Sequence, residues 1–374
     1  KFKPLRFIWK ALRPVAIFLA SAILVLGLLS FVGNKVKDRW ISPVDLSDNT
    51  EIAFSIESGD SLTKVSRKLE AQKLIRSSSF FKYYADFLGF SQKIQPGEYK
   101  IKKSMTVREI AETITAGDGN PIVRKITIIP GWNVEDIANY LVKQKILKSK
   151  DLFLSLAKTA KGFSSYYYVD DLIKSGTISS RKYALEGYLT PETYEIYSGA
   201  NEEDIIKKLL AQNEAVFNEQ LQQRAQELGM SLDDVLTLAS LIEKEAKKQD
   251  FKNVSAVFHN RLRKGMPLGS DVTIKYLLGI KRMVLTKQDL SVDSPFNSYK
   301  NKGLPPGPIC SPSPQAIIAA LYPNEEFIND GILYFCSKNP DTGELHFSKT
   351  LKEHNQAVKV YSPLWQAFDE KNNK

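Results

Sequence analysis

The hydropathy pattern is dominated by Val15–Val32, an 18-residue stretch without a charged side chain (VAIFLASAILVLGLLSFV). At about 1.5 Å of rise per residue, a helix of that length approaches the ~30 Å apolar thickness of a bilayer. A helix apolar on every face suits lipid better than the half-wet surface of a soluble domain. Lys1, Lys3, Arg6, Lys10 and Arg13 precede the run and no acid stands among them. That bias predicts an N-terminus held in the cytoplasm and a chain that continues outside the membrane. Gly33-Asn34-Lys35 follows where a signal peptide would carry a small-x-small cleavage site, so an uncleaved anchor is expected. The sequence begins at Lys1 and not at Met, which points to a short piece upstream.

Beyond a polar, turn-rich linker (Ile41–Asn49), the pattern repeats itself. At a constant offset of 72, Ile56, Gly59, Leu69, Gln72, Lys73, Ser77 and Phe81 meet identical residues at Ile128, Gly131, Leu141, Gln144, Lys145, Ser149 and Phe153. Each copy reads as a strand, a glycine turn and an amphipathic helix, with Leu62, Val65 and Leu69 matched by Val134, Ile137 and Leu141. A second short helix is expected near Ser78 and near Lys150. Between the copies, Pro96-Gly97-Glu98-Tyr99 marks a turn before a strand and a helix near Val107–Ile114. Two copies are too few for a solenoid.

From Gly162 the texture changes. Residues 163–187 read as irregular, and helices are predicted over Glu202–Leu228, Leu232–Lys247 and Val254–Lys264. Ser231 is the expected N-cap of the second, with Asp233 and Asp234 in its first turn, and Gly265 suits the position after the third. Strands are expected near Leu333–Ser337 and Leu345–Phe347, joined by a turn at Asn339–Gly343, and the tail Asp369–Lys374 reads as disordered.

Charge adds one point. The net +10 invites a nucleic-acid reading, but +7 of it lies in residues 1–40. No basic, aromatic-interleaved patch follows, so nucleic acid is not an expected partner. Cys310 and Cys336 allow either one disulfide or two buried small side chains. With only His259, His346 and His354 beside them they form no zinc-ligand pattern, and no metal or cofactor is expected.

Four segments hold polar residues that packing does not require: residues 185–194 (LEGYLTPETY), 238–246 (LASLIEKEA), 258–274 (FHNRLRKGMPLGSDVTI) and 296–309 (FNSYKNKGLPPGPI). Glu243 follows the apolar run Val235–Ile242. Burial there would favour its protonated form, as a general acid at neutral pH needs. A solvated Glu beside Lys244, Lys247 and Lys248 is the competing reading, and Glu186 is the rival carboxyl. Glu245, about 200° further round the helix, is expected to face water.

These four segments, in this order, resemble the YceG-like family of endolytic peptidoglycan transglycosylases (the MltG type). Residues 238–246 resemble its L-A-S-x-[IV]-E-K-E signature, 185–194 its E-G-[YFW]-[LF]-x-P-[DE]-T-Y element, Phe258–Leu262 its V-F-x-N-R-L element and 303–309 its G-L-P-P-G-x-I loop. The chain departs from that pattern at Thr190 and at Gly269 and Val272. The resemblance implies that Glu243 is the catalytic acid/base. It implies candidate substrate contacts from Glu186, Asn260, Asp271, Thr273, Asn297 and Tyr299. It implies cleavage of the β-1,4 bond between N-acetylmuramic acid and N-acetylglucosamine without water, leaving 1,6-anhydro ends. The expected partners are peptidoglycan strands, the cytoplasmic membrane and the cell-wall synthesis machinery.

The fold expected is α+β, with an N-terminal transmembrane helix, a small LysM-like α+β module and a larger α+β catalytic domain. Along the chain this means a basic N-terminus over 1–13, the membrane helix over 14–33 and a linker over 34–50. A LysM-like module over 51–120, a second repeat-like unit over 121–160, a catalytic domain over 161–368 and the tail over 369–374 complete it. The alternatives are a non-catalytic glycan-binding scaffold and a penicillin-binding serine enzyme. For the latter, Ser-x-x-Lys occurs at Ser61, Ser79, Ser155 and Ser179, but the required Lys-Thr-Gly is absent.

Overall fold

A computed structural model describes residues 33–57, 59–91, 93–115, 123–197 and 200–372, with scattered positions between 21 and 31. Residues 1–13 and most of Val15–Val32 lie outside the described residues, and among those described no helix is long and apolar enough to cross a membrane. The chain divides into two compact units, residues 1–123 with 197–200, and residues 124–196 with 201–374.

In the first unit β1 (Ile52–Ile56) and β2 (Gly97–Ile101) pair antiparallel, with Phe54 opposite Tyr99. α1 (Leu62–Ala71) and α2 (Ser78–Phe87) run between the strands, and α3 (Val107–Thr115) follows β2. Strand residues two apart share a face. Phe54, Ile56, Tyr99 and Ile101 are therefore buried together under Val65, Leu69, Phe81, Ile110 and Ile114.

The second unit opens with the same design: β3 (Val123–Thr127), α4 (Val134–Lys143) and α5 (Lys150–Thr159). The repeat extends to backbone detail. Gly59 and Gly131 have φ of 82° and 83°, and Lys73 and Lys145 both have φ of 55°. Ser77 and Ser149 cap α2 and α5 by accepting from backbone N–H groups at 3.2 and 3.1 Å. Leu69 and Leu141, and Phe81 and Phe153, are completely buried. In both copies the chain leaves its helix through a left-handed lysine, after which Leu74 N–H and Ile146 N–H bond back to Leu69 and Leu141 carbonyls at 2.9 Å.

Then come α6 (Tyr167–Lys174), β4 (Thr193–Tyr197), which pairs with β3, α7 (Glu202–Val216), α8 (Glu219–Glu227) and α9 (Leu232–Glu245). After these run α10 (Phe251–Arg263), α11 (Asp271–Leu278), α12 (Lys287–Leu290), α13 (Pro314–Leu321) and α14 (Glu325–Asp330). The hairpin β5 (Tyr334–Asn339)–β6 (Glu344–Ser348) and α15 (Leu351–Asn372) end the chain. α9 is the core of this unit. Every residue from Val235 to Ile242 is buried, with α8, α10, α11 and α13 packed around it. Its N-terminus carries the expected Ser231 cap, here as a full capping box, Ser231 and Asp234 each accepting from the other's backbone.

Several expectations are corrected. The single helix over Glu202–Leu228 is two, because Phe217 leaves helical geometry and Asn218 caps a new start by accepting from Leu221 N–H at 3.0 Å. Residues 163–187 hold α6 and a short 3₁₀ turn over Thr177–Ser180. The tail is helical to Asn372, and Asp369 accepts from Met283 and Val284 N–H at 2.5 and 2.8 Å. Of the two readings left open for Cys310 and Cys336, the structure shows separate buried thiols.

A non-glycine residue in the left-handed region costs about 1–2 kcal/mol, partly offset in a Gly variant by the entropy of the unfolded chain. Lys145→Gly is therefore expected to leave stability unchanged or raise it by up to about 1 kcal/mol in chemical denaturation. A clear loss of stability would show that the lysine side chain contributes more than its backbone strain costs.

Candidate active site

The four polar segments form one interlocked structure around the C-terminal end of α9. Ser240 Oγ accepts from Ile309 N–H at 3.0 Å, which fastens the 303–309 loop along the helix. Gly187, with φ of 83°, lies so close to this loop that a Cβ would come within 2.4 Å of Pro308. Gly307 leaves space for Arg181, since a Cβ there would stand 2.6 Å from its guanidinium carbon. Arg181 in turn forms a two-pronged ion pair with Asp233 in the first turn of α9, and Tyr188 O–H donates to the same carboxylate at 2.8 Å. The loop before α11 is tied on as well, through Ser270 Oγ, which donates to Glu245.

α9 emerges from the core only at its last turn, where Glu243 stands. Of the two readings left open for its carboxyl, burial among apolar side chains is not the one observed. It is partly exposed, and Oε2 accepts from Ser313 at 2.9 Å (N–H) and 2.6 Å (Oγ–H). Ser313 is the N-cap of α13 and Pro314 fills the first helical position, so the carboxylate faces a positive helix end. Oε1 makes no hydrogen bond among the described residues and stays free for a ligand. Gly131, the repeat's turn glycine, abuts it. A Cβ there would lie 3.8 Å from Glu243 Cγ, and Lys244 Nζ donates to the Gly131 carbonyl at 3.2 Å.

Two other carboxyls are drawn in from water to different degrees. Glu186 is fully buried, accepting from Val134 N–H at 2.9 Å and Tyr276 O–H at 3.0 Å. Desolvation outweighs these bonds and pushes its pKa up to about 8. Glu245 corrects the sequence reading in part. It is half-buried and bonded to Ser270, not fully turned to water. Burial drives its pKa up to about 7 against the Ser270 hydrogen bond, with Asp271 adding to the rise.

Beside Glu243 opens a cleft of about 590 Å³. Gly131 and Lys244 line it together with Glu186, Tyr183 and Ile309 and with Lys275, Tyr276 and Leu278 of α11.

The remaining candidates divide. Asp271 accepts from Tyr299 O–H at the surface beside Glu245, and the phenol's pKa is raised by burial and by that carboxylate. Asn260, Thr273 and Asn297 are buried with their polar atoms spent inside the protein. Asn260 donates to the Phe327 and Ile332 carbonyls, both at 2.9 Å. Thr273 donates to Ser270 O at 2.8 Å, and Asn297 to Leu290 O and Val292 O at 3.0 and 2.8 Å. Their observed role is to hold α14 and the 290–301 turn in place. Arg261 donates to the Leu333 and Leu268 carbonyls.

A family model described as the YceG-like family matches residues 54–360. The chain belongs to the YceG-like family. It is 34% identical over 331 residues to the endolytic murein transglycosylase of Bacillus subtilis, covering 86% of this chain and 88% of that one. It is 28% identical to the endolytic murein transglycosylase of Streptococcus pneumoniae, covering 92% of this chain but 65% of that one. A crystal structure of a YceG-like protein from Listeria monocytogenes aligns with a TM-score of 0.54 at 33% identity, covering 82% of this chain and 98% of that one.

The sequence reading of this YceG-like protein missed Ser313, Gly131, Tyr276 and Arg181. Ser313 was the accessible one, since Ser-Pro before the apolar run 316–321 is a helix-start signal. Nothing in the sequence relates Tyr276 or Arg181 to carboxylates far away in the chain.

Two measurements test this arrangement. Gly187→Ala combines a strained φ with the Pro308 clash and is expected to cost at least about 2 kcal/mol. Gly176→Ala, with φ of 74° and open space around it, should cost only about 1 kcal/mol. Equal losses would rule out the interlock. The second concerns Glu186, whose folded-state pKa lies above its unfolded value near 4.5. The folded protein therefore binds the extra proton, and this carboxyl's stability contribution is lost as pH rises from about 4.5 to about 8, at no more than about 1.4 kcal/mol per pH unit. Glu186→Gln, which keeps the neutral shape, should flatten melting temperature against pH across that window. An unchanged slope would mean that Glu186 is ionised in the fold.

Proposed function

We propose that this protein is an endolytic murein transglycosylase and that Glu243 is its acid and then its base. The observation that carries the reading is Glu243 packed beside Gly131 and Lys244, which line the cleft, with Oε2 fixed by the two Ser313 donors and Oε1 without a hydrogen bond among the described residues. The names of the Bacillus and Streptococcus relatives support the same activity.

The chemistry asks for two proton transfers at one carboxyl. Protonated Glu243 gives its proton to the glycosidic oxygen as the bond from muramoyl C1 to that oxygen breaks and the N-acetylglucosamine leaves with a free hydroxyl. The carboxylate so formed gains charge as Ser313 N–H and Oγ–H point at it, and donors aimed at a developing anion lower the barrier. It then accepts the proton of the muramoyl 6-hydroxyl as O6 bonds to C1, closing the 1,6-anhydro ring and restoring the acid. A single carboxyl suffices, unlike the two-carboxylate pair of most glycoside hydrolases. Asp271 and Tyr299 are the surface pair proposed to contact sugar, with Glu186 lining the cleft.

Further parts of the reading rest on the sequence. Residues 14–33 anchor the chain in the cytoplasmic membrane with the enzyme outside, where it trims nascent strands beside the synthesis machinery. The first unit acts as a LysM-like glycan-binding module, a role supported by its strand–helix–helix–strand order.

Glu243→Gln should release no 1,6-anhydro-muramoyl ends from purified glycan strands while still binding them. Wild-type release by the variant would overturn the assignment. Strand binding without cleavage by the wild type would leave a non-catalytic scaffold. Ser313→Ala removes one of two donors and should lower kcat by about tenfold, or ~1.4 kcal/mol, with little change in KM. A kcat equal to wild type would remove Ser313 from the mechanism.

A further inference from the structure

The cleft beside Glu243 carries more positive charge than its residue list suggests. Glu135 is neutralised by Lys182 at 2.9 Å and accepts from Tyr183 O–H at 2.9 Å. Asp136 is occupied in the capping box of α4, accepting from Asn133 N–H at 3.2 Å. Glu186 is held in its protonated form near neutral pH by burial, with Tyr276 against it. The acids of the cleft are therefore paired, bonded to backbone or uncharged. The remaining cations are not matched in the same way. Lys244 gives its ammonium to a neutral carbonyl at Gly131. Lys275 and Lys281, on α11 and just beyond it, line the cleft and make no ion pair among the described residues. Three cations thus line the cleft, set against the carboxylate of Asp136, together with Tyr276, Leu278 and Ile309.

The shape limits what could sit there. A glycan strand cut in its interior must continue on both sides of Glu243, and an unbranched sugar chain is neutral at each N-acetylglucosamine. A pocket of about 590 Å³ is the size of a small ligand site and suits a branch leaving the strand. The muramoyl residue carries such a branch on its lactyl group, a short peptide with free carboxylates and small apolar side chains. We infer that this cleft binds the acidic peptide of the muramoyl residue next to the cut, with Lys275 and Lys281 as carboxylate receptors. The inference rests on the glycan-cleaving reading above and gives that site a requirement for peptide-bearing strands.

The test uses the full chain and one preparation of uncross-linked strands, half of it stripped of peptides by an amidase. Wild type should cut the peptide-bearing half with the lower KM. In the Lys275→Ala/Lys281→Ala variant the ratio of KM on stripped to KM on intact strands should fall about tenfold toward unity. A ratio unchanged from wild type, or a wild type with no preference, overturns the inference. A binding measurement separates it from the activity itself. A fluorescein-labelled muramoyl tetrapeptide with free carboxylates should bind wild type, more weakly at high salt, and its fully amidated form should not. Equal binding of both forms overturns carboxylate recognition. Failure of wild type to cut either half, with the labelled peptide still bound, overturns the catalytic reading and not this one. Both lysines are at least partly exposed, and Lys281→Glu alone should weaken the labelled peptide further without a loss of melting temperature.

Discussion

The arrangement depends on one strip of chain, residues 303–313, being fastened lengthwise along α9. Two side chains a helical turn apart do the fastening, Ser240 through Ile309 N–H and Glu243 through Ser313. Residues three apart on a helix share a face, so the strip is drawn along that face with no freedom of register. Everything else at the site is built on the strip. Pro308 fits against Gly187, Gly307 makes space for Arg181, and Ser311 exchanges backbone bonds with Gly131 and Trp132 at 2.9 and 2.8 Å. The proline-rich loop therefore sets the position of Glu243 relative to the residues that line the cleft.

Three glutamates illustrate how far residue type alone falls short of assigning a role. Glu243, Glu245 and Glu186 have identical side chains, but the first is held on a pair of donors, the second is half-buried with a raised pKa and the third is fully buried with a raised pKa. The partial cover of Glu245 includes Ser270, on the segment leading into α11 and 25 residues downstream. Helical periodicity places Glu245 opposite Glu243 on the helix. It says nothing about which other segment will cover that face.

Legibility in the sequence followed the range of the interactions. The repeat could be read because its strand–turn–helix units are held by local periodicity, caps and a left-handed C-terminus, all written within thirty residues or so. The Ser231 cap and the glycine after α10 are of the same kind. α11, α13 and α15 were not read as helices. They are short or carry an interior proline (Pro363), and tertiary packing, not a strong amphipathic stripe, makes them helical. At the site the ordered motifs singled out the right segments, but three of the polar residues in them, Asn260, Thr273 and Asn297, secure turns inside the protein. A motif marks where a backbone must take one shape. Which of its side chains then face a ligand is decided by long-range contacts.

The repeat itself carries the last step. Gly59 and Gly131 occupy the same turn with nearly the same φ, and in the first copy nothing approaches within 4 Å of where a side chain would begin. In the second copy Glu243 Cγ and Lys244 stand 3.7–4.0 Å from that position, at ordinary contact distance. One local design thus serves two ends. In the first unit the turn is open to solvent. In the second its backbone brings a carbonyl to the Lys244 ammonium and packs beside Glu243. Both copies need a residue tolerant of φ near 80°, so the conformational demand alone keeps glycine at each. What differs is the neighbour the second turn meets, and that contact ties a small α+β module to the candidate site.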